Sequence, residues 1–275
     1  AVSRFILIYW FSLHMSTAPP LPPLPQTLQE LEGMTGLQWA GIIQAPSGPA
    51  AQWLQAAAAL GHADAQTALG HWLLRGHGLP ANQAEAFAWF TQAAEQGNAV
   101  GMNMAGRCLA NGWGTPVNLV AAVHWYLLAA HHNLDLGMYN YANQLAAGLG
   151  VAQDHVAALG WYRLAADMGH AKSMTKMGRY YEDGLVVERD RDAAFLCYQD
   201  GAQGGDFRGQ FNLAGMLAAQ GHMAEALLWL RKVPLTATPG FKAEAGRALV
   251  QSPYPEFRRI GQQMLNSAAQ QNTTA

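Results

Sequence analysis

Tryptophan returns at a fixed interval along this chain: Trp53, Trp89, Trp125 and Trp161 stand 36 residues apart, and Cys197 fills the next place. Three positions before them lie Ala50, Ala86, Ala122, Ala158 and Ala194; four positions after them lie Ala57, Ala93, Ala129, Ala165 and, as the exception, Gly201. Two further columns keep the same step, Gly61, Gly97, Asn133, Gly169, Gly205 and Gly76, Gly112, Gly148, Gly184. So many columns in one register restrict the chain to a repeat architecture. Each unit of such a fold is a supersecondary element whose apolar face is covered by its neighbours.

The residues within a period describe two helices. Ala65 to Arg75 places its apolar residues on one face and stops at Gly76, where glycine supplies the left-handed backbone that closes a helix. Pro80 and Pro116 follow shortly after such glycines, where a helix does not continue. Asn82, Asn118, Asp154 and Asp190 then form a column of side chains able to accept hydrogen bonds from the free N–H groups at the start of a second helix. That helix runs to Gly97, Asn133, Gly169 or Gly205, asparagine being the usual substitute for glycine at a helix C-terminus. Small Ala and Gly let adjacent helices approach, and the Trp with the aromatic after it is expected to fill a recurring socket between hairpins. Trp161 is thus expected to plug a buried socket.

The stretches "ALGHWLLRGHGLPANQAEAFAWFTQAAEQGNA" (68–99), "YANQLAAGLGVAQDHVAALGWYRLAADMGHA" (141–171) and "KMGRYYEDGLVVERDRDAAFLCYQDGAQGG" (176–205) carry a resemblance. They resemble the Sel-one-like repeat (SLR), a relative of the tetratricopeptide repeat, with the Leu-Gly, Gly-x-Gly, Asp, Ala-x-x-Trp-Tyr, Ala-Ala and Gly elements in order. The resemblance covers residues 50 to about 231. It implies an all-α fold, an α/α solenoid in which helical hairpins stack as a right-handed superhelix. Ala142 and Ala214 replace the first-helix glycine, "DGLVVERD" has lost one glycine, and Ala226 to Trp229 falls four residues early, so those places should differ locally. Family members with a cysteine pair in every repeat are secreted and disulfide-stapled; this chain lacks such pairs.

Four segments follow: a leader over 1–14 read as added in cloning, with Met15 as the natural start and a truncated signal or anchor as the alternative; a Pro-rich stretch and degenerate N-terminal cap over 15–49; the SLR solenoid over 50–231; and C-terminal capping helices with a polar tail over 232–275. The apolar run Phe5 to Phe11 is far shorter than the roughly 20 residues of a membrane span, so none is expected. "PPLPPLPQ" holds two Pro-x-x-Pro spacings suited to an aromatic groove, but its terminal position favours a plain extended linker.

Composition narrows the chemistry. Charged residues are 12% of the 275 and the formal net charge is −2, which leaves no basic excess for nucleic acid. Cys108 and Cys197 are the only cysteines, without a Cys-x-x-Cys pair, which fits a reducing compartment: the cytoplasm is expected, with the periplasm as the alternative. No P-loop, Rossmann glycine fingerprint, metalloprotease His pair or nucleophile elbow is present. "GHG", "GWG" and "GLG" fall in repeat register and read as turns. His124, His131, His132 and Asp135 have spacing seen in metal sites, but the last turn of a helix also favours His through the helix dipole, and no metal is expected. The charges from Glu182 to Asp192 read as a solvated face.

In related two-helix repeats the first helix lines the concave side, so its varied positions should meet a ligand. These include Thr67, His71 and Arg75; Asn103, Arg107 and Asn111; Tyr139 and Asn143; Lys172, Thr175, Arg179 and Asp183; and Arg208 and Phe211, spaced three to four apart on one helical face. Hydrogen-bonding Asn and Thr, aromatic surface and several Arg suit a protein or peptide with some negative charge. The expectation is a non-enzymatic scaffold or adaptor without cofactor, holding a partner through Asn103, Arg107, Tyr139, Asn143, Lys172, Thr175 and Arg179, with Phe211 as an apolar anchor. An accessory subunit that modulates an enzyme is the alternative, and a His-based metal protein the remote one. Sequence leaves the oligomeric state open.

Overall fold

The computed structural model describes residues 21–44 and 48–272. The leader assigned to 1–14 and the start at Met15 lie outside them. Among the described residues every regular element is a helix and no strand occurs. Short α1 (Leu28–Glu32) and α2 (Gly36–Gln44) precede α3 (Gly48–Ala59). Pairs of 13-residue helices follow: α4 (Ala63–Arg75) with α5 (Gln83–Glu95), α6 (Ala99–Asn111) with α7 (Leu119–His131), α8 (Asp135–Ala147) with α9 (His155–Asp167), and α10 (Ala171–Asp183) with α11 (Arg191–Gln203). Then come α12 (Phe207–Ala219), α13 (Met223–Leu230), α14 (Val233–Thr236), α15 (Pro239–Val250) and α16 (Pro255–Asn272).

The capping chemistry follows the sequence columns. The side chains of Asn82, Asn118, Asp154 and Asp190 accept from backbone N–H groups at Glu85, Ala121, Ala157 and Ala193, starting α5, α7, α9 and α11. Gly76, Gly112 and Gly184 close first helices in the left-handed region, and Asn133 adopts φ 55° in the column otherwise held by glycine. A further cap column starts the first helices: His62 Nδ1 accepts from Ala65 N, Asn98 Oδ1 from Gly101 N and Asp206 Oδ2 from Gly209 N. His62, placed at a repeat junction by sequence, is therefore a helix cap. His170 holds the same position and lies 2.9 Å from Ser173 Oγ.

Two compact units make up the chain, one reaching Gly137 together with Leu149–Val151, the other Met138–Gly148 with everything from Ala152 onward. In the first, Trp53, Leu54, Leu69, Trp72 and Phe90 form the centre of a core. The Pro-rich stretch belongs to that core: Pro23 O accepts from Trp53 Nε1 at 3.0 Å, Pro25 is buried and Leu21 packs on the cluster. Over 21–25 the expectation of a free linker is thus corrected. In the second unit Leu213, Leu217 and Leu230 share a core with Leu249, Phe257, Ile260 and Met264 of the last two helices, which cover the final repeat.

The recurring socket is filled differently from the sequence expectation. Trp89, Trp125 and Trp161 are only half-buried, while the next residue, Phe90, Tyr126, Tyr162 or Tyr198, is buried to within 3% exposure. Each of three such rings lies flat against a first-helix glycine: a Cβ on Gly70, Gly106 or Gly178 would come 2.7 Å from the ring of Phe90, Tyr126 or Tyr198. Where Ala142 replaces that glycine, Tyr162 turns its hydroxyl to Asn143 Oδ1 at 2.8 Å. Ring and glycine form the repeated lock; Trp161 instead makes an edge contact with Tyr141 at 5.5 Å between centroids.

Candidate functional site

The first helices present a mixture of packing and exposed residues, and the structure divides the sequence candidates between these roles. Asn103 and Thr175 are 3% and 5% exposed, so they are corrected from ligand contacts to core residues. Thr175 faces α11 of its own hairpin and the start of α12, at Gly201 and Gly209. The Thr175 hydroxyl donates to Ala171 O at 3.2 Å and sits where a Cβ on Gly201 would have to be, which accounts for the one glycine in the Ala57 column. Thr67, in the same column, is buried and donates to Ala63 O.

Phe211 is corrected in part as well. It is half-buried and meets Phe241 of α15 edge-on at 5.6 Å, so the C-terminal helices already use its ring. Tyr139 is half-buried between His170 and Tyr162, with centroids at 4.8 and 6.0 Å, and burial raises its pKa. Asn143 accepts from the Tyr162 hydroxyl. Arg107, Lys172 and Arg179 reach the surface, Arg179 in an exposed ion pair with Asp183 at 3.4 Å.

Two clefts open on these helices, one in each unit. That of the first unit has a volume of about 260 Å³ and is lined by His71, Leu74, Arg75, Gln83, Met104, Arg107 and Trp113. That of the second unit is of similar size and is lined by Ala146, His155, Tyr162, Lys176, Arg179, Tyr180, Asp183 and Leu185. Their linings correspond in repeat register: Leu74 with Ala146, Gln83 with His155, Met104 with Lys176, Arg107 with Arg179 and Trp113 with Leu185. Each cleft therefore lies between one hairpin and the first helix and loop of the next.

Cations line both clefts, joined by Asp183 in the second. Arg107 lies over the Trp113 ring, 5.1 Å from its centroid, a cation–π geometry that holds the guanidinium at the rim. His71, edge-on to Phe90, has its pKa pushed down to about 4 by burial and then by Arg75 and Arg107. It is neutral at neutral pH. In the second unit His155 Nδ1 and the Tyr180 hydroxyl are 3.0 Å apart, and burial lowers the Lys176 pKa, with Arg179 and Arg208 adding to the effect. Sequence reading passed over Lys176, His155, Tyr180 and Trp113 as site residues. The legible signal for Lys176 was its column, which elsewhere holds Ala68, Met104, Asn140 and Asn212.

His124, His131 and His132 are exposed, and Asp135 Oδ1 accepts from Leu136 N. Among the described residues no three His, Cys, Asp or Glu side chains gather as a metal would require. No helix among them is long and apolar enough to cross a membrane. Cys108 is buried and Cys197 half-buried, both free thiols whose pKa values burial raises.

Stacked two-helix hairpins with a fixed inner lock and varied outer residues define a helical-repeat protein of the tetratricopeptide-like class. The family model of the Sel1 repeat matches residues 50–62, 63–98, 99–134, 135–170 and 171–206, and the chain belongs to the Sel1 repeat family. Among curated proteins nothing matches. Among solved structures, a Sel1 repeat protein from Oxalobacter formigenes is similar at 24% identity and TM-score 0.66, covering 77% of this chain and 89% of that one. A protective antigen of uropathogenic Escherichia coli with an SLR fold is similar at 25% identity and TM-score 0.60, over 82% of this chain and 49% of the antigen. An immunity protein from Pseudomonas aeruginosa shares the fold at 14% identity and TM-score 0.52, over 76% and 80% of the two chains. Sel1 repeats generally act as non-catalytic modules for protein–protein interaction.

Proposed function

We propose that this chain is a non-enzymatic adaptor that holds a protein partner on the exposed face of its first helices. The observation that carries this reading is the contrast within those helices. Packing positions repeat as small residues and buried rings, while Arg75, Asn111, Lys172, Arg179 and Arg208 vary in chemistry and face solvent. Residues that hold the stack are thereby separated from residues free to select a partner, as in other repeat proteins. Two free cysteines support the cytoplasm as its compartment.

Capture from a lysate of the source organism tests this, with the chain as bait beside a variant carrying Arg75→Ala, Arg107→Ala, Lys172→Ala and Arg179→Ala, each bound set quantified by mass spectrometry. A protein held by the wild type and lost by the variant is the expected result. Equal capture by both removes the first-helix face from the reading. If the partner is an enzyme whose activity changes on binding, the adaptor is an accessory subunit.

A further inference from the structure

Both register-equivalent clefts hold a half-buried cation, Arg107 in one and Lys176 in the other. Neither Arg107 nor Lys176 has an ion pair among the described residues, although a carboxylate is the usual partner of a half-buried cation. The Arg107 guanidinium donates to Met104 Sδ at 3.5 Å and lies over the Trp113 ring, both apolar or weakly polar partners. Lys176 is half-buried, and the field of Arg179 and Arg208 on it is opposed by Asp206. Asp206 is itself committed to capping α12 through Oδ2, and Asp183 is engaged by Arg179. Neither forms an ion pair with Lys176.

Each cleft thus sets apolar or aromatic side chains, Trp113 and Leu74 in one and Tyr162 and Leu185 in the other, beside a cation that has no ion pair among the described residues. That combination fits a carboxylate on a short methylene stem. The stem covers the apolar side chains, and the carboxylate supplies the missing counter-charge in a partly desolvated place where such a pair is stronger than at an open surface.

We infer that the cleft at Arg107 and the cleft at Lys176 are each a subsite for an acidic side chain of a partner segment. The inference rests on the adaptor reading and adds the chemistry of the partner. A neutral or basic segment would leave both cations unpaired and lose this contribution.

The test is a random dodecapeptide library displayed on phage and selected against the full chain, followed by fluorescence anisotropy of the selected peptides. These are titrated against wild type, Lys176→Met, Arg107→Met and the double variant at two salt concentrations. Methionine keeps the apolar stem and removes only the charge, and far-UV circular dichroism confirms each variant as folded. The expected result is enrichment of Glu and Asp, with binding weakened about five- to tenfold by each substitution and further by salt. Acidic peptides that bind both variants as tightly as wild type overturn the subsites. Enrichment of neutral or basic peptides overturns the acidic specificity and leaves the adaptor reading standing. If no peptide is selected, the subsites are refuted as sites for a short segment, and capture from lysate still decides the adaptor reading independently.

Discussion

A Cβ on Gly178 would stand 2.7 Å from the Tyr198 ring, whereas one on Gly160, in the middle of α9, meets nothing within 4 Å. The same substitution should therefore have opposite signs at the two sites. Gly178→Ala is expected to destabilise by about 1–3 kcal/mol through overpacking, and Gly160→Ala to stabilise by about 0.5–1 kcal/mol through lost chain entropy; urea unfolding measures both. The aromatic column gives a second contrast. Tyr198→Ala should cost about 3–5 kcal/mol because the ring is 1% exposed and fills the lock, while half-buried Trp161→Ala should cost about 1–2 kcal/mol. Equal losses would return the Trp to the centre of the socket. His71 adds a pH dependence: its folded pKa is about 4 against 6.5 when unfolded. The unfolded chain binds the extra proton between those values, so stability falls as pH drops through that window, by up to about 3 kcal/mol. In His71→Gln, unfolding midpoints followed from neutral to acid pH should lack this component.

At the scale of the element, the inter-helix loops show how a repeat is seated. Gly114 and Gly150 adopt φ 70° and 74°, and a side chain there would run into the backbone carbonyl of Gln83 or Leu119 in the preceding hairpin. Glycine is required for both reasons. The corresponding position in the fourth repeat is Val186, held at φ 56°, where a β-branched residue is strained. Val186→Gly should then stabilise by about 1 kcal/mol despite the greater entropy of glycine, as read from the urea midpoint. A destabilised variant would mean that the exposed valine has a packing role outweighing its backbone strain. Helix boundaries themselves were legible, since Asn82, Asn118, Asp154 and Asp190 cap where their column predicts. The first-helix caps His62 and Asn98 were not, because their residue types change from repeat to repeat while the geometry stays.

Whole-molecule stability depends on what closes the last repeat. Leu213, Leu217 and Leu230 share one core with Leu249, Phe257 and Met264, so α14 to α16 serve as a cover and not as a tail. A chain ending at Arg231 should unfold at lower urea than the full chain and bind a hydrophobic dye such as ANS before unfolding. A truncated chain with the full chain's midpoint and no dye binding would show that these helices pack without supporting the repeats. The Pro-rich segment plays a comparable part at the other end through Pro23 and Trp53. Its sequence reads as an extended linker because proline patterns report backbone shape and carry no record of the distant indole that the carbonyl meets.

The sequence by itself determined the period, the two-helix unit, the turn glycines and the second-helix caps, because these are local demands of backbone conformation and recur with the repeat. It also determined the class of protein. Only the tertiary structure decided that Phe90, Tyr126, Tyr162 and Tyr198 carry the lock, that Asn103 and Thr175 are interior, and that Lys176 lies unpaired in a cleft. Helical periodicity places a side chain on a face, but the direction of that face is set by the hairpin packed against it. Two positions one residue apart, such as Thr175 and Lys176, differ by about 100° around the helix. One becomes core and the other lines a cleft.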